Sequence, residues 1–121
     1  MEFLNRIELK GVVGRPDLNL VNGSQVCNFS VVTEYSTVDR EGNPNVEVTW
    51  FNVSAWEGRE GIPELHKIQK GAWVYVSGRL RLRKYTRENN EEKISVEVLA
   101  RTVKLIPRGE DDALMQPQRD W

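Results

Sequence analysis

Gly78 to Thr86 reads GRLRLRKYT. Leu80 and Leu82 alternate with Arg79, Arg81 and Arg83, and Tyr85 continues the arginine parity. Side chains two apart on a β-strand share a face. The stretch therefore predicts a strand with two leucines turned to a core and, on the other side, three guanidiniums and a phenol ring in a row. A guanidinium matches phosphate oxygens, and an aromatic ring offers a platform for a base. The second face thus suits a polyanion that carries flat rings. The plain alternative is a solvated charged face.

A second stretch, Trp50 to Trp56 (WFNVSAW), weighs against that alternative. Phe51, Val53 and Ala55 form its core face, which leaves Trp50, Asn52, Ser54 and Trp56 outside. Outward tryptophans are costly to hydrate and point to an interface or a ligand. Beside a basic strand they form a stacking platform, where each base gains roughly 1–3 kcal/mol with little regard to sequence. Arginine and lysine add the salt-dependent phosphate contacts. Unpaired strands are favoured, because the bases of a duplex already hide their faces.

The rest of the chain supplies the frame. Ile7, Leu9, Val12 and Val13 mark a first strand disturbed near Gly11, and Gly14–Asp17 a turn or bulge. Asn22-Gly23 signals a type I′ hairpin before a second strand over 25–35, with Cys27, Phe29 and Val31 on one face. A polar loop, DREGNPN over 39–45, leads to the third strand at 46–56. Ile62, Leu65 and Ile68 recur at helical spacing in EGIPELHKIQ, with Pro63 in the first turn and Gly71 at the end, so this segment predicts one short helix. The fourth strand starts near Ala72, with Val74 and Val76 inward and Trp73 and Tyr75 outward, and Gly78 permits a bulge. ENNEE over 88–92 turns the chain. A last strand over 93–106 carries Ile94, Val96 and Val98 on one face, then Val103 and Leu105 after a shift near Ala100. Three strands, a helix and two strands is the order of the OB-fold, an all-β, five-stranded Greek-key barrel that commonly binds single strands.

Composition narrows the function. The 121 residues suffice for one domain, read as 1–107 with a short acidic flexible tail over 108–121. The formal net charge is −1. The tail holds Glu110, Asp111, Asp112 and Asp120, whereas Arg79, Arg81, Arg83, Lys84 and Arg87 form a run without an acid. Screening confines each charge to its neighbourhood, so a local basic stripe on a neutral body still attracts phosphates. Cys27 is the single cysteine and reads as a small buried hydrophobe; His66 is the single histidine and reads as an exposed helix residue. No metal set, no cofactor motif and no nucleophile–base pair is present, so an enzyme is not expected. With no secretory signal and no apolar run long enough to span a bilayer, a cytoplasmic protein without membrane contact is expected.

Together these segments resemble the bacterial single-stranded-DNA-binding protein family over about residues 4–106. The matching pieces are NRIELKGVVGRP, VCNFSVVT, WFNVSAWEGR, ELHKIQKGAWVYVSGRLRLRKYT and VEVLARTVKLI. The resemblance implies coating of single-stranded DNA in replication, recombination and repair, by a homotetramer of such barrels, with a dimer as the other assembly. The family's stacking aromatics fall on Trp50, or Phe51 in an ungapped reading, on Trp56 and on Tyr85. Trp50 shares the parity of Trp56, which leaves Glu57 as an insertion. A fourth family aromatic falls on Thr37, and Tyr35, two residues earlier on the same face, stands in for it. Phosphate contacts are implied for Arg6, Arg79, Arg81, Arg83 and Lys84. Outward Trp73 and Tyr75 offer a subunit contact. The family's acidic tip, which closes in a hydrophobic-Pro-Phe sequence and recruits replication and repair proteins, is not matched by EDDALMQPQRDW. The second implied function is a primosomal accessory protein of the same fold, whose aromatic face meets proteins.

Overall fold

The alternating patterns fold into six strands: β1 (Ile7–Val13), β2 (Asp17–Val21), β3 (Ser24–Val38), β4 (Pro44–Trp56), β5 (Trp73–Thr86) and β6 (Glu92–Ile106). The computed structural model describes residues 2–107, and the expected acidic tail at 108–121 lies outside the described residues. Five strands close a ring in the order β1-β5-β6-β4-β3 and back to β1, while β2 pairs only with β3. All pairs are antiparallel except β4–β6, which run parallel over Asn52–Ser54 and Glu97–Leu99. A closed ring leaves few open sheet edges.

The predicted inward residues fill the barrel. Cys27, Val31, Val53, Val74, Val76 and Val98 are fully buried, joined by Phe29, Ala55, Ala100 and Val103. β-branched valines suit this site because they pack well on a pleated surface. Burial pushes the Cys27 thiol up from its ordinary pKa, so it stays protonated as a small apolar group.

Turn chemistry sets the register. Asn22 and Gly23 have φ of 49° and 84°, the left-handed pair of a type I′ turn, and Val21 pairs with Ser24 across it. At the β3–β4 tip, the Asn43 and Glu41 backbone N–H groups donate to Asp39 Oδ1 at 2.8 and 2.9 Å. Those bonds, Asn43's first, hold the Asp39 carboxyl below its ordinary pKa.

Two expectations need correction. The helix is only a 3₁₀ turn, Leu65–Lys67. Gly61 lies at φ +92°, Glu64 has a non-helical ψ of 128° and Ile68 is extended, so no α-helical turn propagates. Residues three apart eclipse on a 3₁₀ turn, so the apolar spacing is still met: Leu65 and Ile68 are both buried as a plug against the barrel. The second correction concerns Leu80 and Leu82, expected in the core but 38% and 67% exposed. β4 pairs with β6 no further than Asn52↔Glu97, whereas the β5–β6 ladder runs on to Thr86↔Glu92. Beyond Glu97 the two strands form a free ribbon, and the leucine face has no opposite wall.

A bulge lies where β5 leaves the barrel: Ser77 pairs with Thr102 but Gly78 with Ala100, which leaves Arg101 as the extra residue. A Cβ on Gly78 would lie 2.0 Å from the Leu99 carbonyl oxygen. Gly78→Ala is therefore expected to cost at least about 1–3 kcal/mol, read as a lower urea midpoint at constant m-value; an unchanged midpoint would contradict this packing.

Candidate nucleic-acid interface

The ladder registers place the outward side chains of four strands in rows. Arg79, Leu99, Ser54 and Asn28 form one row; Arg81, Glu97, Asn52 and Ser30 form the next. The middle is flat and polar, and Ser54 Oγ donates to Asn28 Oδ1 at 2.8 Å. Trp56 stands at one end of the β4 row and Trp50 at the other. They are six positions apart on the strand, roughly 20 Å at about 3.3 Å per residue.

Around Trp56 the face becomes a groove of about 970 Å³, walled by Tyr75, Arg79, Arg81, Leu99 and Arg101 and by the loop residue Arg59. The N-terminal segment forms its rim, also contributing Leu4, Asn5 and Arg6. Asn5 clips this rim to β5: its Nδ2 donates to the Leu80 carbonyl at 2.8 Å, and the Leu80 N–H donates to its Oδ1 at 3.0 Å. That pair imitates one rung of a sheet ladder.

The predicted residues separate into groups. Trp56, Arg79 and Arg81 meet in the groove. Arg83 and Tyr85 continue the same face along the free ribbon, with Tyr85 43% exposed and opposite Lys93. Trp50 is 60% exposed, and its ring edge comes within 2.9 Å of where a Cβ on Gly14 would lie. Phe51, the ungapped alternative, packs against the core. Tyr35 is exposed and pairs with Glu47, on the opposite side of the β3–β4 ribbon from Trp50. Lys84 pairs with Ile94 and stands on the leucine side of β5, away from the arginines. Arg6 is held by Glu8, 2.6 Å from its Nη2.

Four contributors were missed. Arg59 lies in a loop without periodicity. Arg101 reaches the groove through the bulge. Asn5 precedes the first strand. Glu97 sits opposite Arg81, its Oε2 2.9 Å from Arg81 Nη2 and its Oε1 3.5 Å from Arg83 Nη1. Glu97 did leave a signal: Ile94, Val96 and Val98 on one face put Ser95 and Glu97 on the other, against the arginines. Arg59, Arg79 and Arg101 make no ion pair with any described residue. No group of three or more His, Cys, Asp or Glu among the described residues is placed to hold a metal ion, and no helix among them is long and apolar enough to cross a membrane.

The family model described as the single-strand binding protein family matches residues 4–106. The chain belongs to that family. Similar proteins include the single-stranded DNA-binding protein of Neisseria meningitidis, 32% identical over 105 residues that cover 85% of this chain and 60% of the relative. "Single-stranded DNA-binding protein 1" of Xylella fastidiosa is 28% identical over 116 residues, covering 93% of this chain and 84% of the relative. The chain thus spans about 60% of the length of the Neisseria relative. Among solved structures, a Plasmodium falciparum SSB complex with ssDNA aligns with a TM-score of 0.76 at 28% identity, over 88% of this chain and 98% of that one. These matches agree with the barrel and confirm the OB-fold expected of the family.

Asn5→Ala should free the rim of the groove. Each hydrogen bond is worth about 0.5–1.5 kcal/mol, so the Leu80 amide is expected to exchange with solvent faster while the Val76 amide keeps its protection. Equal Leu80 exchange in both proteins would show that the clip holds nothing.

Proposed function

We propose that this member of the single-strand binding protein family coats single-stranded DNA with little sequence preference, as a non-enzymatic protein of cytoplasmic replication, recombination and repair. The carrying observation is the joint placement of Trp50, Trp56 and the arginine row on one exposed face of a closed barrel. The named relatives and the Plasmodium complex support the same ligand.

The mechanism follows from the side chains. Trp56 and Trp50 offer ring faces to unpaired bases. Arg79 and Arg81 beside Trp56, with Arg59 and Arg101 across the groove, take the phosphates that run past those bases. Tyr85 and Arg83 extend the track along the ribbon. Stacking is indifferent to base identity, and phosphate binding carries no sequence information, so the combination is sequence-tolerant. Tyr35 and Lys84, on the far sides of the two ribbons, meet the same strand only if it wraps around a ribbon edge.

A homo-oligomer completes the proposal, with a tetramer as the expected assembly. β1 pairs with β5 from Ile7 to Val12 but with β3 only at Val12 and Val13. No strand runs along the other side of Ile7–Leu9 among the described residues, and such an edge accepts a strand from a second copy. Half-buried Trp73 and Tyr75 lie further along the same pair of strands, opposite Val12 and Lys10 of β1, with Lys104 Nζ 5.9 Å from the centre of the Tyr75 ring.

Titration with oligo-dT at low salt is expected to quench tryptophan fluorescence, with affinity that falls as salt rises. Trp56→Ala and Tyr85→Ala should each weaken binding by roughly 1–3 kcal/mol. Absence of quenching in the wild type would refute the ligand; mutants that bind like the wild type would refute the platform.

A further inference from the structure

Glu97 is an acid in the middle of a face otherwise suited to anions. Its side chain is only 14% exposed, whereas those of Arg81 and Arg83 are 46% and 67% exposed. One carboxylate thus serves two guanidiniums: Arg81 Nη2 donates to Oε2 at 2.9 Å, and Arg83 Nη1 stands 3.5 Å from Oε1. Asn52 is its register partner on β4, so the acid sits between the polar centre of the face and the arginine row.

We propose that Glu97 is a positioning residue that sets the strength and salt dependence of single-strand binding. It fixes the directions of Arg81 and Arg83 and cancels one of their two charges. The proposal rests on the single-strand reading above. A guanidinium has five N–H donors, so contact with Glu97 leaves donors for a phosphate. The arginines are therefore aimed before DNA arrives, yet the trio presents a net charge of one cation. A largely buried carboxylate is screened by salt less than an exposed one, so the offset persists at moderate ionic strength. Arg79, one row along, has no such acid among the described residues and acts at full charge.

Two consequences separate this role from a merely structural one. Removal of the charge with the shape kept should strengthen binding, whereas loss of a structural support would weaken it. Removal of Arg83 should cost less than removal of Arg79, because Arg83 is already partly neutralised.

The test is a set of dT-oligomer titrations over a range of NaCl with wild type, Glu97→Gln, Arg79→Gln and Arg83→Gln. Glu97→Gln is expected to bind about threefold tighter or more near about 0.2 M salt, with a slope of log K against log salt steeper by about 0.7. Arg79→Gln should lose more affinity and more slope than Arg83→Gln. A folded Glu97→Gln that binds no tighter than wild type would overturn the proposal. If that variant does not fold, Arg83→Gln costing as much as Arg79→Gln would overturn it instead. Failure of the wild type itself to bind the oligomer at low salt is a different result, and it removes the single-strand reading together with the role of Glu97.

Discussion

The three-residue parallel contact between Asn52–Ser54 of β4 and Glu97–Leu99 of β6 closes the barrel. Val53 and Val98 pair within it and both are buried, so closure is sealed by apolar packing as well as by the backbone. On the outside, the same contact brings the tryptophan strand beside the arginine strand, with β6 as the spacer. Without it the aromatic rings and the cations would belong to separate hairpins. The core and the candidate interface are thus two sides of one strand junction.

The bulge at Arg101 performs the matching task at the other end of that junction. Gly78 has no Cβ to collide with Leu99, so β6 can accept an extra residue and turn Arg101 outward. Parity then resumes, and Val103 returns to the core. One local irregularity satisfies the barrel's curvature and adds a cation to the groove. Net charge says little about such a surface. A chain with a formal charge of −1 still gathers Arg59, Arg79 and Arg101 around one tryptophan, and phosphates respond to that local field.

Much of this was legible in the sequence, for identifiable reasons. Strict alternation in CNFSV, FNVSA and WVYV assigned the inward and outward sets, because period two leaves one choice of faces once the core is known. Asn22-Gly23 named its own turn, and Gly78 its bulge. What escaped depended on contacts between distant segments. Leu80 and Leu82 alternate like core residues, and only the length mismatch between β4–β6 and β5–β6 shows that no wall covers them. The Ile62, Leu65 and Ile68 spacing fits a helix and a 3₁₀ plug equally well. Arg59, Asn5 and Arg101 join the groove through a loop, a clip and a bulge, none of which has a periodic signature. Tyr35 and Lys84, carried over from the family's pattern, lie on the far sides of the two ribbons, because strand register and not resemblance decides the face.

The central claim is that one outer sheet face, from Trp50 through Asn52 and Glu97 to Arg79 and Trp56, receives the nucleic acid. Heteronuclear NMR of the labelled protein with a short dT oligomer tests it most directly. The account predicts the largest changes at the Trp50 and Trp56 indole N–H signals and at the amides of Arg79, Arg81 and Leu99, with Leu82, Ile94 and Val96 on the reverse of the β5–β6 ribbon little affected. Changes concentrated on that reverse side, with both indoles unmoved, would contradict it.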